Sequence, residues 1–234
     1  MIEHELQRTI LNKIKFMVGG ARYGELKLLD IENDLFNYHL QQLVKNEYLE
    51  KKDGKYWLTL KGKSLVTNID DVTKTVFGGY KVSVYMCPVI DGKVLLYRRL
   101  KHPQYGYVGL TSGKIAFGER ILETASRELL EETGLVADFE IIGNLRQIRK
   151  DGEGKVIEDG LFYVCFTDKV EGKLTEKGLE GEYFWTELDK VSAIEKIFKP
   201  SVEIIIKEVK LRLTVEVDWQ TKFIYELEPA PEAY

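Results

Sequence analysis

One stretch of the chain constrains its fold and chemistry far more than any other. From Gly113 the sequence runs through five residues to Glu119, then through seven more to Arg127-Glu128-Leu129. Glu131-Glu132 and Gly134-Leu135 complete it. Residues 120–133 carry a helical pattern closed by Gly134, a residue suited to the left-handed end of a helix. On that helix Glu128, Glu131 and Glu132 fall at i, i+3 and i+4, so three carboxylates share one face. Left unneutralised, such like charges repel by roughly a few tenths of a kcal/mol per pair. Leu122, Ala125 and Leu129 form a separate apolar stripe, and the small Ala125 allows close approach to a sheet. A helix made only for solubility intersperses lysines among its glutamates, whereas here only Arg127 stands nearby. A divalent cation would neutralise the face, and Mg²⁺ prefers hard oxygen ligands, including the phosphate oxygens of a substrate.

The rest of the chain divides by character. Residues 1–72 read helix, helix, helix, hairpin, helix. Ile10, Leu11, Ile14 and Met17 mark the first helix, residues 23–29 a short second and residues 33–46 a third. Strands at 48–52 and 55–60 flank Asp53-Gly54, a two-residue hairpin signal, and residues 60–66 return to helix. Residues 73–79 are a polar linker ending in Gly78-Gly79. Residues 80–228 alternate between strands and helices: strands at 82–90 and 93–99 around Asp91-Gly92, the helix above, strands at 139–149 and 156–167, a helix at 200–211, and a last strand-like run at 217–227. Residues 229–234 form a tail.

Composition narrows the class. Hydrophobic residues make up 44% and charged residues 31%, as in a soluble globular protein. The net charge of −4 gives no whole-chain attraction to nucleic acid or anionic membrane. No apolar run approaches the roughly 18 residues that span a bilayer. The acidic, amphipathic start is unlike a signal peptide. Cys87 and Cys165 lie in apolar strand-like runs and read as buried reduced thiols, which fits a reducing cytoplasm.

The spaced motif is the Nudix box with every specified position present, and the chain resembles a Nudix hydrolase. The resemblance implies an α/β class fold, an α/β/α sandwich with a mixed sheet, in which the box forms loop, helix and loop. It also implies Mg²⁺-dependent cleavage of a diphosphate linkage in a nucleoside diphosphate-X type substrate, with Mn²⁺ as a substitute ion. Glu128, Glu131 and Glu132 map onto the metal-binding glutamates, the carbonyl of Ser112 onto a backbone ligand, and Glu119 onto a supporting acid that is sometimes itself a metal ligand. Arg127 maps onto the arginine that orients a glutamate by ion pairing. Among the glutamates, Glu128 and Glu131 are the candidates to double as general base. Thr111-Ser112 stands where many relatives have Pro-Gly, and Ala116 where they have Glu. The base of several relatives lies outside the box; the candidates here are Glu182 and Glu180, then Glu158 and Asp159.

Substrate contacts are expected from the basic end of the second strand. Arg99 suits bidentate binding of phosphate, with His102 beside it. Tyr107, Tyr105 and Phe162 are candidates to stack a base. Residues 1–72 resemble a small winged-helix (α+β) domain, the winged helix-turn-helix of archaeal and bacterial regulators. Residues 1–69 hold 11 Lys/Arg against 9 Asp/Glu, a modest surplus for a DNA-binding module. Three roles for that domain stay open: an accessory to a hydrolase, DNA binding, or dimerisation, with a homodimer as one admissible assembly. The alternative for the whole chain is a DNA-binding transcriptional regulator that uses the Nudix domain to sense a nucleotide such as ADP-ribose.

Overall fold

Two Asp-Gly hairpins anchor the two halves of the computed structural model, which describes residues 4–69, 80–150, 154, 156–214 and 222–227. In each hairpin both turn residues take positive φ: 53° and 74° at Asp53 and Gly54, 48° and 71° at Asp91 and Gly92. That is the mirror-image turn whose twist matches the strands it joins. The chain divides into two compact units, the second beginning at Tyr80, except that Lys101–Tyr105 groups with the first.

The first unit contains α1 (Glu5–Ile14), α2 (Tyr23–Leu26), α3 (Asn33–Lys45), β1 (Leu49–Lys52), β2 (Lys55–Leu58) and α4 (Leu60–Val66). The His4 Nδ1 caps α1 by accepting from the Leu6 N–H at 3.2 Å. Ile10, Leu11 and Ile14 of α1 pack with Phe36, Leu40 and Leu43 of α3 in one buried cluster. The second helix is shorter than the expected 23–29, because Lys27 is already extended at ψ 133°.

The second unit is built on a sheet. Its elements are β3 (Lys81–Ile90), β4 (Lys93–Arg99), β5 (Val108–Gly109), β6 (Thr111–Lys114), α5 (Ile121–Thr133), β7 (Leu135–Val136) and β8 (Glu140–Lys150). These are followed by β9 (Val156–Thr167), β10 (Glu171–Gly172), β11 (Gly181–Glu187), α6 (Ser201–Thr214) and β12 (Phe223–Leu227). The sheet runs β11-β4-β3-β9-β8-β12, with β5 added to β4 and β6 to β3. β3 with β9 and β8 with β12 are parallel, and the other pairs are antiparallel, so the sheet is mixed. One face packs Val202, Ile205, Ile206 and Val209 of α6 over Ile142, Leu145 and Val164. The other packs Ala125 and Leu129 of α5 over Val84, Met86, Leu95 and Cys165. The expected α/β/α sandwich is therefore present.

Cys87 and Cys165 are buried in opposite cores, unpaired, and burial pushes both thiols up to about 12. The sequence reading missed β11. The last strand begins at Phe223, while residues 215–221, the 70–79 linker region and the 228–234 tail lie outside the described residues. Among the described residues no helix is long and apolar enough to cross a membrane.

Candidate active site

The site begins where β6 hands over to α5. β6 pairs with β3 alone, placing Gly113 opposite Val84 and Ser112 opposite Tyr85. Val84 faces the α5 side of the sheet, and so does Gly113. There the glycine meets Glu128: a Cβ at position 113 would stand 2.1 Å from Glu128 Cγ and 2.4 Å from its Cδ. No side chain fits, so the spacing between Gly113 and Glu128 in sequence reflects a direct contact in space.

α5 opens at Arg120, whose N–H donates to Glu123 at 3.2 Å, and closes at Gly134 with φ 73°. Its buried face is Thr124, Ala125, Leu129 and Thr133. Ala125 and Leu129 of the expected apolar stripe are buried, whereas Leu122 is 39% exposed and Thr124 and Thr133 complete the buried face.

Glu119 ties the loop to the helix. It accepts from the Ala116 N–H at 3.1 Å, the Thr124 hydroxyl at 2.8 Å, and Arg127 Nε and Nη2 at 2.7 and 2.9 Å. The hydrogen bonds from Arg127 lead in pulling its carboxyl down to about 2, against burial. Arg127 then reaches two more carboxylates with one nitrogen: Nη1 lies 3.0 Å from Glu128 Oε1 and 3.0 Å from Glu131 Oε2. Glu128 is mostly enclosed, and burial raises its carboxyl above the usual range despite Arg127. Glu131 is largely open to solvent. Glu132 accepts a hydrogen bond from the phenol of Tyr183, which is only 3% exposed.

Among the described residues no three His, Cys, Asp or Glu side chains converge as a ready-made metal cage. The donor chemistry nonetheless suits a hard divalent ion. The acids are all carboxylates, and Glu128 and Glu131 are already gathered about a single positive nitrogen. Glu128, Glu131 and Glu132 with the Ser112 carbonyl would be its holders, Glu119 being committed to the loop and Arg127.

The residues expected outside the box are distributed unevenly. Arg99 and Tyr107 lie together, the Arg99 N–H donating to the Tyr107 carbonyl at 2.8 Å. His102 belongs to the segment that groups with the first unit, and the box to the second. Glu182 is on β11 and pairs with Lys177 at 3.4 Å. Strand alternation puts it on the side of Phe184, in the α6 core, while Tyr183 faces α5. The expected role of Glu182 beside the box carboxylates therefore does not fit the geometry. Glu180 is nearer, acting electrostatically on Tyr183 together with Glu132. Asp159 is held by Arg146 at 2.9 Å, and Glu158 lies between Lys81 at 3.2 Å and Arg149 at 3.3 Å. Neither is available as a base. Tyr183 was missed, although the alternation of Glu182, Tyr183 and Phe184 would have turned it toward α5.

Known proteins resemble this arrangement. A family model described as NUDIX domain matches residues 79–207, more than half of the chain. An uncharacterized Nudix hydrolase of Bacillus subtilis is 28% identical over 102 residues, covering 43% of this chain and 62% of its own length. The ADP-ribose pyrophosphatase of Methanocaldococcus jannaschii is 30% identical over 115 residues, covering 44% of this chain and 66% of its own length. The match thus spans under two-thirds of either relative. The crystal structure of a mutator MutT protein from Bacillus halodurans superposes with a TM-score of 0.53 at 25% identity, over 66% of this chain and 93% of that one.

Proposed function

This chain belongs to the Nudix family, and on that premise we propose that it is a Mg²⁺-dependent hydrolase of a nucleoside diphosphate-X type substrate. Nudix hydrolases generally use divalent metal ions. The observation that carries the reading is the contact of Gly113 with Glu128, together with the single Arg127 nitrogen that gathers Glu128 and Glu131. Bound Mg²⁺, or Mn²⁺ in its place, would supply charge to shield the diphosphate and acidify a water.

The chain's own groups do the rest. Glu128, Glu131, Glu132 and the Ser112 carbonyl would hold the ion, and Arg127 fixes where two of those carboxylates point. A carboxylate takes a proton from water as the new O–P bond forms and the P–O bond to the leaving phosphate breaks. Glu128 and Glu131 are the box candidates for that base, and Glu180 is the one outside it. Arg99 and Tyr107 meet the substrate. The products are a nucleoside monophosphate and a phosphate-bearing X. The named activity of the archaeal relative makes ADP-ribose the first compound to test.

We read the first unit as a winged-helix-type accessory module. The experiment is a turnover screen of the full chain with Mg²⁺ against ADP-ribose, NADH, nucleotide sugars, nucleoside triphosphates and dinucleoside polyphosphates, with Glu132→Gln alongside. Turnover of at least one compound, lost in Glu132→Gln, is expected. No turnover, together with specific salt-sensitive DNA binding, would replace the hydrolase reading with that of a regulator.

A further inference from the structure

α6 buries one face against the sheet through Val202, Ile205 and Val209. Beside that face Glu203, Lys207 and Lys210 fall at i, i+4 and i+7, with Ile206 among them. Opposite stands the segment that leaves β11: Leu188, Asp189 and the single helical turn Val191–Ala193. Between α6 and this segment lies an open cleft of about 360 Å³. That is at the lower end of the roughly 300–1,000 Å³ of small-molecule sites.

The floor of the cleft is apolar. Leu188, Val191 and Ile206 line it, and all three are buried members of the core that α6 shares with the sheet. Backbone bonds fix the wall opposite α6. The Leu188 N–H donates to the Gly92 carbonyl at 3.0 Å, the Lys190 N–H to Glu187 at 2.9 Å and the Ala193 N–H to Lys190 at 3.1 Å. Lys210 meets Asp189 at 2.5 Å, which joins α6 to the segment.

Charge selects what such a floor accepts. Glu203 is neutralised by Lys199 at 3.2 Å, and Lys210 by Asp189. Lys207, between them on the same face, makes no ion pair among the described residues. Ser192, on the other wall, makes no side-chain hydrogen bond among them. A lone exposed lysine is an ordinary solvated charge. Here it borders an apolar floor and has a hydroxyl on the facing wall. An ammonium offers three donors and no acceptor, and a hydroxyl offers one donor, so the two rim groups match anionic oxygens. An inorganic anion would use that charge and leave the floor wet, whereas a neutral hydrocarbon would cover the floor and leave the charge unused.

We propose that this cleft binds a small aliphatic carboxylate, its oxygens on Lys207 and Ser192 and its chain on Leu188, Val191 and Ile206. It is a second site, in the α6 layer, whereas Arg127 and Glu128 belong to α5 on the other side of the sheet. It holds whether or not the box is hydrolytic. A ligand that touches both α6 and the facing segment binds only the folded chain, and so makes the stability of the second unit ligand-dependent.

The test is an amide NMR titration of the full chain, without added metal, with butanoate, hexanoate and octanoate, and with octanol and octylamine. Resonances of residues 188–192 and 203–210 are to shift along one saturating curve. Each methylene taken from water tightens binding by up to about fourfold, so octanoate is to bind at least about tenfold more tightly than butanoate. Reversing the charge turns attraction into repulsion, so octylamine is to bind about tenfold more weakly than octanoate. Lys207→Gln, at an exposed helix position, is to weaken octanoate several-fold and leave octanol unchanged. Equal affinity for butanoate and octanoate, octylamine as tight as octanoate, octanoate binding unaltered in Lys207→Gln, or shifts confined to other residues each overturn the proposal. Shifts at these residues that follow protein concentration instead of ligand mark a contact between copies, and overturn it as well.

Discussion

Gly113→Ala isolates the contact on which the site depends. An alanine Cβ would lie 2.1 Å from Glu128 Cγ and 2.8 Å from its Cβ, against the 3.4 Å at which ordinary contact begins. Glu128, or α5 with it, must retreat by more than 1 Å, and the close atoms are near the root of the side chain, where a rotamer change gives little relief. Overpacking of this kind costs about 1–3 kcal/mol, and the depth of the overlap argues for the upper end. For a unit of this size that lowers Tm by roughly 6–12 °C, taking about 2–4 °C per kcal/mol. A reacting group displaced by about 1 Å loses on the order of 100-fold in rate. Thermal unfolding and steady-state hydrolysis of the best substrate measure the two effects separately. A double variant completes the cycle: Glu128→Ala removes Cγ and Cδ, so Gly113→Ala is to cost at least about 1 kcal/mol less in that background, as coupled neighbours do. Two results refute the reasoning: kcat within threefold of wild type in Gly113→Ala, or identical destabilisation with and without the Glu128 side chain.

Tyr183→Phe removes the phenol hydrogen bond to Glu132 and leaves the buried ring in place. The affinity for Mg²⁺ is to fall by about 10-fold or more with Tm nearly unchanged, as for other groups that orient a metal ligand; an unchanged Mg²⁺ titration counts against that role. Glu119 is held down to about 2 by Arg127, so its contribution to stability is full above its unfolded value and is lost as pH falls toward 2. The Tm difference between wild type and Glu119→Gln is accordingly to be constant above about pH 5 and to shrink below it. His39 is shifted in the same direction, its imidazole lowered by burial and by the neighbouring His4 ring at 3.8 Å. The unfolded chain takes up that proton more readily, so stability of the first unit is full above about pH 6.5 and declines as pH falls below it. His39→Gln is to flatten that decline in thermal unfolding between pH 5 and 8.

The parts legible in the sequence were those written locally. The Asp-Gly turns, the helix of the box and its three acids each depend on neighbours within a few residues. The stripe on α5 was right at Ala125 and Leu129 and wrong at Leu122, because two threonines complete the buried face. They can do so since Thr133 donates to the Leu129 carbonyl at 2.6 Å and Thr124 donates to Glu119 at 2.8 Å, leaving no hydroxyl unsatisfied in the core. β11 escaped notice for a related reason. Tyr183 and Phe184 face different cores, so the strand is apolar on both sides and lacks the alternation that marks a half-exposed one. The pairing of Lys81 with Glu158, 77 residues apart, depends on the parallel register of β3 with β9, which no local pattern encodes.

The two departures from the usual box take on a definite meaning once β6 is seen as a strand with two faces. Gly113 turns toward Glu128, whereas Ser112 is paired with Tyr85 and turns toward the aromatic side. A residue change at 112 therefore alters the surface next to Tyr85 and spares the wall against which Glu128 packs, while its carbonyl stays in the same edge of backbone. Ala116 contributes through its N–H, which closes the loop onto Glu119 at 3.1 Å, and any residue except proline supplies that group. Neither departure touches Arg127 or the carboxylates gathered around it. On this geometry position 112 bears on the Tyr85 side of the sheet and position 116 on the loop, and the carboxylate face around Arg127 is left as the box specifies it.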